Sequence, residues 1–204
     1  FADFCTENLK GKVIKYGKDV DASVSGVKFV SDDGLFGTTF ILDGVEIHLP
    51  LTGAYNYSNA LGVIACAKEL GIPAKDIKAG IENLKAISGR MDISKAVVAN
   101  KNVILLKDFY NANPDSMSKA IDFCGSLTEY PSKIFVLADM KELGKESKEA
   151  HKNVGNQLAK IAETSEIKVI LIGKDIKPAL KALKHNKNVT ALLWVKNNNE
   201  KISI

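Results

Sequence analysis

"DFYNANPDSM", residues 108–117, follows the apolar run 103–106 and precedes a stretch with helical spacing. How a strand hands over to a helix through two asparagines and a proline decides the fold. Asp108 ends the strand, Asn113 suits a helix N-cap, and Pro114 takes the first helical position, where its missing N–H costs nothing. Capping requires only Asn113. It leaves Asp108, Tyr110 and Asn111 crowded into the same turn: a carboxylate suited to a ribose hydroxyl pair, an aromatic ring and an amide. A helix N-terminus beside them favours negative charge.

Working downstream, the pattern alternates. Strand "KIFVLADM" (133–140), a helix over about 145–163, strand "IKVILIG" (167–173), helix "IKPALKALK" (176–184) and strand "VTALLWV" (189–195) follow in turn. Strands "DISKAVV" (92–98) and "NVILLKDF" (102–109) come before. Continuous apolar strands alternating with helices predict a parallel sheet covered on both faces, so residues 89–204 read as a doubly wound α/β domain. Ligands of such sheets gather beyond the carboxyl ends of the strands. There "VLADMKELG" repeats the arrangement, with Asp139 at a strand end, then Glu142 and Gly144. Two strands ending in Asp favour a shared cleft. His151, on the next helix, reads by itself as a surface or capping histidine.

Upstream, residues 1–88 differ in composition. "KVIKYG", "VSGVKFVSDD", "GTTFILDG" and "VEIHLPL" are short β-type runs, and Asp43-Gly44 is a hairpin turn, which together predict an antiparallel meander. A helical hairpin follows over 56–70 and 73–84, with Ala60, Val63, Ile64 and Ala67 at helical spacing and Gly71 as its C-cap. Asn56 and Asn59 stand three apart at the helix start. A cap uses one of them, and the second amide could read a base edge. Arg90, in the connector "KAISGRMD", is either a solvated hinge charge or a guanidinium within reach of a phosphate.

Bulk properties narrow the classes. Apolar and charged fractions of 46% and 25% are those of a globular protein. The net charge of +4, from 28 basic and 24 acidic residues, is too balanced for a nucleic-acid or membrane surface, and lysine-rich 181–187 reads as a solvated face. Cys5, Cys66 and Cys124 have neither metal-ligand spacing nor an even count, which predicts a reduced, cytoplasmic compartment. No apolar run approaches the ~20 residues of a membrane helix. The first residue is not methionine and "NNNEKISI" carries no stop signal, so a piece of a longer chain is expected.

"GAYNYSNALGVIACAKELGI", "SGRMD", "DFYNANPDSM" and "LADMKELGKESKEAH", in this order, resemble the Mur ligase family, most closely its D-alanyl-D-alanine-adding branch. The resemblance covers nearly the whole chain. It implies an ATP-dependent amide ligase of cytoplasmic peptidoglycan-precursor synthesis, a monomer, joining UDP-MurNAc-tripeptide to D-Ala-D-Ala through an acyl phosphate. Residues 1–88 would be the C-terminal part of the central ATP-binding domain and 89–204 a truncated, Rossmann-like C-terminal domain. By the resemblance Asn56, Asn59, Arg90, Asp108 and Tyr110 face the nucleotide, and Asn111, Asn113, Asp139, Glu142 and His151 the dipeptide side.

The chain also departs from the family pattern. Tyr55 stands where the family commonly has His, and Lys107 replaces the first of an Asp pair. The Gly-rich phosphate loop, the carbamylated lysine segment and the UDP-binding domain are not in this sequence, so magnesium ligands are expected upstream and the 204 residues alone are expected to be inactive. Two alternatives stay open: another amino-acid or glutamate ligase of the superfamily, and a non-catalytic nucleotide-binding module.

Overall fold

In the computed structural model the structure describes residues 11, 13–16 and 24–196. Cys5 and the "NNNEKISI" ending lie outside them, as do Lys12 and Gly17 of the expected strand "KVIKYG", whose residues 13–16 carry no strand. Two compact units result, Phe1–Lys107 and Asp108–Ile204.

The first unit opens with the expected meander: β1 (Val27–Asp32), β2 (Thr38–Leu42) and β3 (Val45–Leu49), antiparallel throughout. Asp43 and Gly44 turn at φ 48° and 81°, the left-handed pair of a two-residue hairpin whose twist matches its strands. Alternation then sets the buried face, Thr38, Phe40 and Leu42 on β2 with Ile47 and Leu49 on β3. Helices α1 (Tyr55–Glu69) and α2 (Ala74–Glu82) close over it with Ala60, Leu61, Ile64, Ala65, Ile77 and Ile81.

Val63, expected on the inner face of α1, is 63% exposed. Small and apolar residues surround this helix on all sides, so its spacing does not single out a face. Its end was legible: Gly71 at φ 72° donates to Lys68 C=O at 3.0 Å and Ile72 to Ala67 C=O at 3.0 Å, a Schellman cap.

β4 (Asp92–Val98) and β5 (Lys101–Lys107) pair antiparallel in a sheet of their own. Their placement in the parallel sheet by sequence reasoning is thereby corrected. Ala99-Asn100 leaves two residues between the strands, and a parallel pair needs a crossover of a dozen or more. Lys107, the departure from the family pattern, meets Asp92 across the open end at 2.7 Å.

The second unit holds α3 (Pro114–Ser126), β6 (Ser132–Ala138), α4 (Ser147–Ile161), β7 (Glu166–Ile172), a short α5 (Leu180–Leu183) and β8 (Val189–Val195). The three strands are parallel in the order β6-β7-β8. Met117 and Ile121 of α3, Val154 and Leu158 of α4 and Leu183 of α5 pack on the face made by Phe135, Ile167, Val169 and Leu171. On the opposite face of β6, Ile134 and Val136 are 61% and 57% exposed. Gly155 lets α4 approach the turn before α5, since a Cβ there would lie 2.3 Å from Ala179 O.

Two substitutions test this packing by denaturant unfolding. Gly155→Ala is expected to destabilise by about 2 kcal/mol, because the backbone it strikes cannot step aside, although alanine favours a helix interior by about 1 kcal/mol. Thr38 is fully buried and its hydroxyl finds no partner among the described residues. Thr38→Val is therefore expected to hold or raise stability, by up to about 1 kcal/mol.

Candidate functional site

In the first unit the two asparagines lie inside α1 rather than at its cap. Ala54 occupies the cap position without a side-chain bond. Asn56 Nδ2 donates to Thr52 C=O at 2.9 Å, and Asn59 Nδ2 leans on Asn56 Oδ1 at 3.4 Å. The structure thus brings the two amides together on one turn, with Asn59 exposed. Arg90 is exposed between buried Gly89, at φ 77°, and buried Met91, at φ 48°. Two left-handed residues flanking one arginine fix where its backbone points; for a residue as bulky as methionine that conformation costs about 1–2 kcal/mol.

The tip stretch opens the second unit. Asp108 is half-buried, and Tyr110 is 68% exposed beside exposed Asn111. Asn113 caps α3 as expected: its Oδ1 accepts from Ser116 N–H at 2.9 Å, and its own N–H donates to Ser116 Oγ at 3.3 Å. One amide oxygen of the turn is thus committed to the helix. Asp108 lies close enough to Cys124 to act on it electrostatically. Burial pushes that thiol up to about 11, with Lys133 opposing and Asp108 assisting, so Cys124 is no nucleophile at neutral pH.

The segment after β6 is built around Asp139. Its Oδ1 accepts from Ile176 N–H at 2.8 Å, its Oδ2 meets Lys141 Nζ at 2.8 Å, and Lys141 reaches on to Asp175 at 3.1 Å. Burial alone would raise this carboxyl; Lys141 and the N–H groups of Ile176 and Asp175 outweigh it and hold it below its ordinary value. A folded-state pKa below the unfolded value means the stabilisation is present above the ordinary carboxylate range and fades as pH falls through the lowered value. The carboxylate fits because Gly173, at φ 121°, has no side chain: a Cβ there would lie 2.2 Å from Asp139 Oδ1. Gly173 also donates to Val195 C=O at 2.9 Å and accepts from the Trp194 indole at 2.7 Å, with Lys177 stacked 4.8 Å above that ring.

His151 is wholly buried. Its Nε2 accepts from Met140 N–H at 2.9 Å, and its Nδ1 lies 2.7 Å from Ser147 C=O, which can only accept. The ring is therefore the neutral Nδ1–H tautomer with both nitrogens on backbone groups. Glu142, by contrast, is exposed at φ 63°. Sequence reading missed Lys141, Asp175, Gly173 and Trp194. The one available signal was a glycine closing the apolar strand "VILIG", and it does not reveal what fills the space.

Among the described residues no three His, Cys, Asp or Glu side chains gather as a metal site, and no helix is long and apolar enough to cross a membrane. The described residues do not make a magnesium site unaided. The arrangement offers hydrogen-bonding groups, charges and an aromatic ring, and among the described residues it includes no activated nucleophile.

A family model described as Mur ligase, glutamate ligase domain, matches residues 89–201, over half of the chain. The UDP-N-acetylmuramoyl-tripeptide--D-alanyl-D-alanine ligase of Treponema pallidum (strain Nichols) is 44% identical over 125 residues, covering 61% of this chain and 26% of that protein. The ligase of the same name from Escherichia coli (strain K12) is 38% identical over 142 residues, 68% of this chain and 30% of that protein. The chain thus spans about a third or less of the length of these relatives. A crystal structure of MurF from Acinetobacter baumannii shares the fold at TM-score 0.65 and 24% identity, over 87% of this chain and 37% of that one. MurF ligase from Thermotoga maritima, solved in complex with ADP, does so at TM-score 0.56 and 21% identity, over 82% and 37%. Meander, helical hairpin, three-stranded parallel sheet and the matched stretch from residue 89 agree: this chain belongs to the Mur ligase family.

Proposed function

We propose that the chain is the part of a D-alanyl-D-alanine-adding ligase that closes on nucleotide and amine. In this reading residues 1–88 end the central ATP-binding domain and 89–204 form the C-terminal, Rossmann-like domain. The observation that carries it is the 44% identity to a relative bearing that activity in its name. Exposed polar groups at the tips following β5 and β6 support it.

The substrates would be ATP, UDP-MurNAc-tripeptide and D-Ala-D-Ala, handled in the cytoplasm by a monomer. The tripeptide carboxylate attacks the γ-phosphorus of ATP, forming a C–O–P bond and releasing ADP. The dipeptide amine, its proton lost, attacks the acyl carbon; the tetrahedral intermediate collapses to the amide and expels phosphate. Positioning and charge stabilisation carry most of such a reaction, which suits a site without a nucleophile.

Asn56 and Asn59 take the adenine side, with exposed Asn59 the better placed to reach a base. Arg90 serves the phosphates, Asp108 the ribose hydroxyls and Tyr110 the nucleotide through its exposed ring. Asn111 and Asn113 stand between nucleotide and dipeptide, and Asp139, Glu142 and His151 belong to the dipeptide side. Magnesium, when bound, would neutralise phosphate charge, and its ligands are expected upstream of this chain.

An amine screen tests the reading. A full-length ligase containing this chain is expected to turn over D-Ala-D-Ala at least about 100-fold better, in kcat/KM, than any single amino acid. Preference for a single amino acid or for glutamate identifies a different ligase, and absence of amide formation with every amine identifies a binding module. The 204 residues alone are expected to show no substrate-dependent release of phosphate from ATP.

A further inference from the structure

The turn from Asp139 to Gly144 is held at its start by the bonds of Asp139 and His151 and at its close by the packing of Leu143. At one end the Asp139 carboxylate sits over Gly173 and accepts from Ile176 N–H, which ties the tip of β6 to the loop after β7. The Asp139 N–H adds a bond to Ile172 C=O at 3.2 Å, and Gly173 passes the connection to β8 through Val195 and Trp194. Beside it, at the same end, Met140 is buried, and its N–H is held by His151, itself anchored on Ser147. Leu143 packs against the core.

What this frame leaves outward is short. Lys141 is exposed but engaged with two carboxylates, Asp139 and Asp175. Glu142 is exposed, and its left-handed backbone is one that a glutamate rarely adopts unless its surroundings impose it. Strain of this kind at the crest of a doubly anchored turn fixes the direction in which a side chain leaves the backbone. A carboxylate held so is complementary to an ammonium group.

We propose that Asp139 and His151 are positioning residues that act through the turn between them, and that Glu142 at its crest is the group that meets the ammonium of the amine substrate. The assignment rests on the ligase reading for the identity of that substrate. It differs from that reading in taking Asp139 and His151 out of contact with the ligand.

The test is a double-mutant cycle in a full-length ligase containing this chain. Glu142→Gln is expected to raise KM for D-Ala-D-Ala about 10-fold while leaving KM for ATP unchanged. An N-acetylated dipeptide, which has no ammonium, is expected to inhibit wild type weakly and the Glu142→Gln variant equally weakly. Asp139→Ala reproduces the KM effect, Asp139→Asn rescues it because an amide oxygen still accepts from Ile176, and Asp139→Ala adds nothing to Glu142→Gln. An unchanged KM for the Glu142→Gln variant, equal losses for Asp139→Asn and Asp139→Ala, or additive losses in the double variant would overturn the proposal. If no amine is turned over, the ligase reading fails instead. The positioning claim is then decided on the 204-residue chain by hydrogen exchange: Asp139→Ala and His151→Gln must both speed exchange at residues 141–144, and protection left intact in either sinks it.

Discussion

The second unit depends on one partly buried contact, the carboxylate of Asp139 seated where a side chain on Gly173 would otherwise be. Parallel strands end without hairpins, so nothing in the chain's connectivity aligns their tips. Here the alignment is made by side chain and backbone together. Asp139 accepts from the loop after β7, and Gly173 donates to β8 and accepts from its tryptophan. A charge with three or more partners of opposite polarity is worth holding in a half-covered place, whereas the same carboxylate without them would be costly there.

Most of the fold could be read in advance because its signals are local. Asp43-Gly44 between alternating strands, Gly71 after α1 and Asn113-Pro114 before α3 each specify a backbone geometry within a few residues. β4 and β5 were recognised as strands but given the wrong partners, since their apolar content is that of a buried parallel strand. The two-residue gap at Ala99-Asn100 carried the deciding information. Val63 was placed inward for a related reason: in a helix apolar on every side, periodicity holds no direction.

The site was legible as chemistry and less so as geometry. Asp108, Tyr110 and Asn111 follow β5 as expected, but that strand belongs to the antiparallel pair and not to the parallel sheet whose edge was expected to carry them; Asn113 makes the expected cap. His151 and Asp139 were read as polar residues near a ligand, and both prove to be bound to backbone groups distant in sequence. Such bonds leave no periodic trace. Lys141, Asp175 and Trp194 matter only through partners brought near by folding, which is why composition and spacing passed over them. The family match over residues 89–201 and the fold comparisons give these local findings their setting.

The outward residues of β6 have a practical consequence. Among the described residues this strand borders its sheet, and Ile134 and Val136 turn toward water on the face away from the helices. A border strand with greasy side chains and no lysine or proline on that face invites recruitment of like strands from neighbouring molecules. This seam is therefore one place where preparations confined to these 204 residues are open to association, and a single lysine in place of Val136 would guard it.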